Sequence, residues 1–258
     1  MQKAIGPKVW GYDQATMYYG KEPTAQGKWK EIIQIEDAEK RHLAVDELAK
    51  AMQAGKNGFL GTKEKIVINQ LFNQCFTIDD QELYHLYFDN LKYVCEHKDA
   101  IFKGGNLSDR RIISRAILAT EKMYFGSFSP DMRKRTAIAS MYFDENDEPV
   151  IPSIKDFKGQ NAAACVELAS VAHNLWLMSG EDSYFFNSKT ASFGDSNDGH
   201  AFDFIKFDDS VVLYDVALQR IKKYTDEDPI KDIESGKPFS FDGDIYINAP
   251  DKVITPTP

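Results

Sequence analysis

Residues 163–178 form one run that is apolar around most of a helical circumference, and Gly180 closes it. A surface helix needs only a stripe of apolar side chains, whereas a run like this must be enclosed on nearly every side. The rest of the chain has to supply the walls. At 258 residues it is long enough to do so, as one large domain or as a domain with a substantial extension. Cys165, Leu168, Ala169, Ala172 and Trp176 share one face at helical spacing, and Glu167, Ser170 and Asn174 form a narrow polar stripe. Gly159 and Asn161 are loop or cap residues, so the helix is expected to begin close to Cys165.

Helices are expected ahead of this run. Residues 36–52 are rich in Ala, Leu, Glu and Lys, with Gly55 as a stop. Residues 63–75 place Ile66, Ile68, Leu71 and Phe72 at mostly helical spacing. Asp79 or Asp80 can cap a helix to about Cys95, and Ser108 one that ends near Gly126. Residues 136–143 read as a strand, followed by a polar turn over 144–149. After the apolar helix come short aromatic and β-branched runs at 184–187, 200–207, 211–216 and 244–247. Residues 188–199, rich in Ser, Asp and Gly, read as a loop or a flap before His200. Helices first and strands later predict an α+β fold with a largely antiparallel sheet. The expected division is a mainly helical region over residues 1–150 and a core over 151–258, unless the whole is one domain.

Composition narrows the partners. The formal charge of −9 disfavours nucleic acid, and the basic clusters Arg110-Arg111 and Arg133-Lys134-Arg135 read as solvated surface. No apolar stretch reaches the length of a membrane span. Met1 is followed by no apolar signal core, so a cytoplasmic protein is expected, with export by a signal-independent route left open. Three cysteines, Cys75, Cys95 and Cys165, are too few and too odd for a disulfide framework, and no zinc-type spacing occurs. No metal and no cofactor are expected.

Cys165 is the residue with chemical promise. At a helix N-terminus a cysteine meets unpaired N–H groups and the positive end of the dipole, which favour the nucleophilic thiolate. The same N–H groups can stabilise an oxyanion beside the sulfur. The plainer alternative is a small core residue, which is how Cys75 and Cys95 read. A hairpin supplies the second clue. With residues 206–209 as its loop, His200, Phe202, Phe204, Val211, Leu213 and Asp215 all fall on one sheet face, and His200 sits directly across from Asp215. Asp215 can then orient the ring and leave its other nitrogen for the sulfur. Asp203 and Asp208 read as solvated.

These residues resemble the transglutaminase-like superfamily of papain-related folds, in its compact microbial form. The shared pattern is Cys165-Val166-Glu167-Leu168-Ala169, then Gly180, then His200-Ala201-Phe202, then Asp215 on the partner strand, over residues 159–219. Phe202 and Val216 stand where the family more often has Trp and Pro. The resemblance implies a papain-like core with Cys165 as nucleophile, His200 as general acid and base, and Asp215 as orienter. It also suggests Gln160 as an oxyanion donor. The implied activity is a cysteine-dependent amide hydrolase or acyl transferase on a protein or peptide substrate. Two other readings compete: a non-catalytic binding module of the same fold, and a helical interaction protein built on the aromatic-rich first half.

Overall fold

The computed structural model describes residues 15–20, 25–55, 59–60, 65–69, 74–103, 107–140, 152–188, 200–235, 239–241 and 244–247. The expected turn at 144–149 and most of the loop at 188–199 lie outside the described residues. The first part of the chain folds as β1 (Ala15–Gly20), α1 (Lys28–Ile32), α2 (Ala38–Gly55), β2 (Lys65–Asn69), β3 (Gln74–Thr77), α3 (Gln81–Glu96), α4 (Lys98–Phe102), α5 (Asp109–Phe125) and α6 (Met132–Ser140). The second part gives α7 (Cys165–Met178), β4 (Asp182–Ser188), β5 (His200–Phe207), β6 (Ser210–Asp215), β7 (Arg220–Tyr224), α8 (Pro229–Glu234), β8 (Phe239–Phe241) and β9 (Asp244–Ile247). This is a mixed α+β fold.

The apolar run is enclosed as its composition requires: every residue of α7 from Val166 to Met178 is buried. Gly180 ends it with φ +79°, and a side chain there would press to 2.6 Å of the Gln26 Cα. On one side α7 packs on an antiparallel sheet of order β1-β4-β5-β6-β7. Trp176 sets its ring edge-on to Tyr214 at 5.4 Å and to Phe207 at 6.2 Å. Phe185, Ala201 and Ile205 join the same core. The alternate residues Phe186, Phe202, Phe204 and Leu213 are buried on the other sheet face. On the helical side α2 and α5 meet α7, and α3 packs on α5. Asp80 caps α3 by accepting from the Glu82 N–H at 3.2 Å, and its other oxygen takes the Tyr124 hydroxyl at 2.6 Å. One apolar cluster runs from Tyr84 and Phe88 through Leu175 to Ala201, spanning both parts of the chain.

Four expectations change. Within the run expected to be helical over 63–75, residues 65–69 and those from 74 onward pair as the strands β2 and β3, with Ile66 across from Phe76. The run Ile66-Val67-Ile68 is β-branched throughout, which suits a pleated strand better than a helical turn. Residues 136–140 belong to α6, not to a strand. Asp131 starts that helix by accepting from the N–H groups of Arg133 (3.0 Å) and Lys134 (3.2 Å). The first part of the chain also contributes a strand, since β1 forms the edge of the large sheet beside β4. Finally, the β5–β6 hairpin turns on Asp208 and Asp209 alone. Phe207 pairs with Ser210 and Asp203 with Tyr214, two residues away from the expected register. A slip of two preserves every side chain's face, so His200 and Asp215 still share one.

Candidate active site

The approach to Cys165 is fixed by backbone bonds to the end of α5. Gly159 N–H donates to Tyr124 carbonyl at 2.8 Å and Asn161 N–H to Phe125 carbonyl at 3.0 Å. Gly126, with φ +90°, makes room for the Asn161 side chain, which a Cβ there would strike. The loop therefore delivers α7 in a set position, with Cys165 as its first residue and half-buried. The N-cap is Ala164, whose side chain has no acceptor. The first-turn N–H groups thus have no oxygen from the N-cap side chain over them, an arrangement that suits an anion.

His200 opens β5 and lies against this first turn. Its Nε2–H donates to Asp215 Oδ2 at 2.8 Å, and the ring also hydrogen-bonds the Cys165 thiol, for which Nδ1 remains. In the observed register Asp215 is the diagonal neighbour of His200 and not its direct partner. Diagonal neighbours across a sheet are still within reach of long side chains. The second oxygen of Asp215 accepts the Leu218 N–H at 3.1 Å, so the turn after β6 fixes the carboxylate. His200 is 4% exposed and Asp215 1%. Burial alone would lower the imidazole's pKa. The hydrogen bonds to Asp215 and Cys165, and their charges, outweigh it and raise the value to about 9. These partners favour the imidazolium, a natural counter-ion for a thiolate.

A second buried pair stands at the same helix start. Arg135 of α6 grips Glu167 of α7 with Nε to Oε2 at 3.0 Å and a terminal nitrogen to Oε1 at 2.8 Å. Glu167 Oε2 also accepts the Ala164 N–H at 2.8 Å. Sequence reasoning placed Arg135 on the solvated surface, but it is 5% exposed. Arg133 and Lys134 are exposed as expected. The missed signal was Glu167 itself: a carboxylate on so apolar a helix needs a cation, and the basic cluster at 133–135 was one supply.

Asp208 is exposed, while Asp203 is fully buried instead of solvated. It points to the α7 side of the sheet, and Glu121 of α5 is equally buried. Burial and their mutual repulsion push the Asp203 carboxyl well above its ordinary range, and burial does the same to Glu121. Gln160 is exposed in the loop before α7, its N–H bonded to the Phe157 carbonyl at 3.2 Å. Cys95 is half-buried on α3, and the Cys75 side chain lies outside the described residues. Among the described residues no group of three or more His, Cys, Asp or Glu is arranged to hold a metal ion, and no helix is long and apolar enough to cross a membrane. Comparison with protein-family models, curated proteins and solved structures finds no match for this chain.

Proposed function

We propose that this protein is a cysteine-dependent amide hydrolase or acyl transferase of the transglutaminase-like, papain-related kind, acting on a protein or peptide. The carrying observation is His200 held between the Cys165 thiol and the Asp215 carboxylate at the start of a buried helix. A thiolate at Cys165 attacks the substrate carbonyl carbon, forming the C–S bond and a tetrahedral oxyanion. The N–H groups of the first α7 turn, over which Ala164 places no side-chain oxygen, stabilise that charge, with Gln160 as a candidate additional donor. His200 gives its proton to the leaving amine as the C–N bond breaks. The neutral ring then takes a proton from water, which attacks the thioester and releases the acid. An amine in place of water gives transamidation. Hydrolysis is the first choice, because the half-buried thiol is open to water and nothing else need be bound. Asp215 keeps Nε2 protonated and Nδ1 turned to the sulfur throughout.

The test is to trap the thioester. The full chain is incubated with a peptide-amide library, quenched in acid and read by peptide mass spectrometry. An acyl adduct on Cys165, discharged by hydroxylamine and missing in His200→Ala, is the expected result. A wild-type Cys165 that never carries an adduct, with release of neither amine nor acid, points to the non-catalytic binding module.

A further inference from the structure

We propose that Arg135 is a positioning residue for the Cys165 nucleophile, acting through Glu167 to cap the catalytic helix and to cancel a negative charge beside the sulfur. This rests on the Cys165–His200 reading above and adds a regulator of the thiolate from a different helix.

The first residues of α6 largely face solvent. Met132, Arg133, Lys134 and Thr136 are all exposed, and Arg135 alone in that run is buried. Its guanidinium holds Glu167, the third residue of α7, by two bonds of 3.0 and 2.8 Å, one to each carboxylate oxygen. Glu167 in turn caps the helix from within, taking the N–H of Ala164, the residue just before the cysteine. Ala164 cannot cap for itself.

As a brace alone, this pair is a poor choice. Replacing a buried ion pair with apolar side chains of similar volume is often neutral or stabilising. What apolar side chains cannot supply is an acceptor for the Ala164 N–H and a fixed charge near the thiol. The acceptor carries a difficulty. A lone carboxylate within a turn of Cys165 would repel a thiolate and work against the helix dipole. Arg135 removes it, since its guanidinium neutralises Glu167 and lies close enough to Cys165 for the two to attract.

The two partners therefore push the thiolate in opposite directions, which a merely structural pair would not do. The experiment measures the rate of Cys165 carboxamidomethylation by iodoacetamide between pH 4 and 10. It compares the full-length wild type, Arg135→Gln, Arg135→Lys and Glu167→Gln, with circular dichroism to confirm folding. Arg135→Gln should move the midpoint of Cys165 reactivity up by about one pH unit, and Glu167→Gln should move it down. Arg135→Lys, which keeps the charge without the fork, should restore most of the first shift. Glu167→Gln retains an oxygen for Ala164 and keeps the test open if Arg135→Gln does not fold. Shifts of the same sign, or none, in a protein whose Cys165 reactivity depends on His200 overturn this inference and leave the triad reading standing. A wild-type Cys165 no more reactive than Cys95 overturns both.

Discussion

Two buried charge systems flank α7 and β5, and they meet the cost of burial in opposite ways. At the start of the helix, His200 has Asp215 and Cys165, and Glu167 has Arg135 and the Ala164 N–H. Under the middle of the sheet, neither carboxylate oxygen of Glu121 or of Asp203 has a hydrogen-bond partner among the described residues. The same is true of the Trp176 indole N–H. The first system keeps its charges because geometry pairs them. The second has no such partners, and burial pushes both carboxyls well above their ordinary range, which favours the neutral acid. Only the first can do ionic chemistry, although the second buries as many acids. Burial of a titratable group is thus a weak pointer to function, and partnered burial beside a nucleophile is a stronger one.

The largest expected contrast is in turnover. His200→Ala should lower amide cleavage by about 10²–10⁴-fold, the usual share of a general acid–base group. Asp203→Asn, on the same strand, should leave it within a few-fold. Next comes stability. Arg135→Met leaves Glu167 buried without its cation and should cost about 3–5 kcal/mol, whereas the double change Arg135→Met with Glu167→Leu should recover most of it. Chemical denaturation of the three proteins reads this directly.

The acids should answer with the opposite sign. A carboxyl whose folded pKa is raised loses stability as pH climbs above its unfolded value near 4. Asp203→Asn should therefore stabilise the fold at pH 8 and do little at pH 4. Each kcal/mol moves the melting temperature by about 2–4 °C in a domain of this size. The smallest effect concerns His200, whose folded value of about 9 lies above the ordinary 6.5. Its stabilising contribution is fully present below pH 6.5 and is lost as pH rises through about 9. Asp215→Asn should remove that dependence and bring the imidazole's NMR titration down toward 6.5.

The sequence made the helices legible where ends were marked. Asp80, Ser108, Gly126 and Gly180 bound α3, α5 and α7 close to the residues expected. Strand faces were legible too, because alternation survives a slip of two. The register itself was not, since Asp208 and Asp209 make a turn as readily as residues 206–209 do. Short runs such as 65–69 and 136–140 were misread because their local pattern suits either period, and only a partner strand or an inward Arg135 decides between them. The meeting of Cys165, His200 and Asp215 was expected from spacing and resemblance. Glu121 and Asp203 were not, because burial across distant segments leaves no mark on local composition, and Arg135 was missed although Glu167 on so apolar a helix called for a cation.

The most direct test of the central claim is the pH profile of Cys165 alkylation by iodoacetamide in the wild type and in His200→Ala, with Cys95 as an internal reference. A thiolate held by an imidazolium should react selectively and well below the ordinary thiol range near pH 8.5, and should lose that reactivity in the variant. If Cys165 reacts like Cys95, or its profile is unchanged without His200, the two residues touch without forming an ion pair, and the proposed chemistry falls.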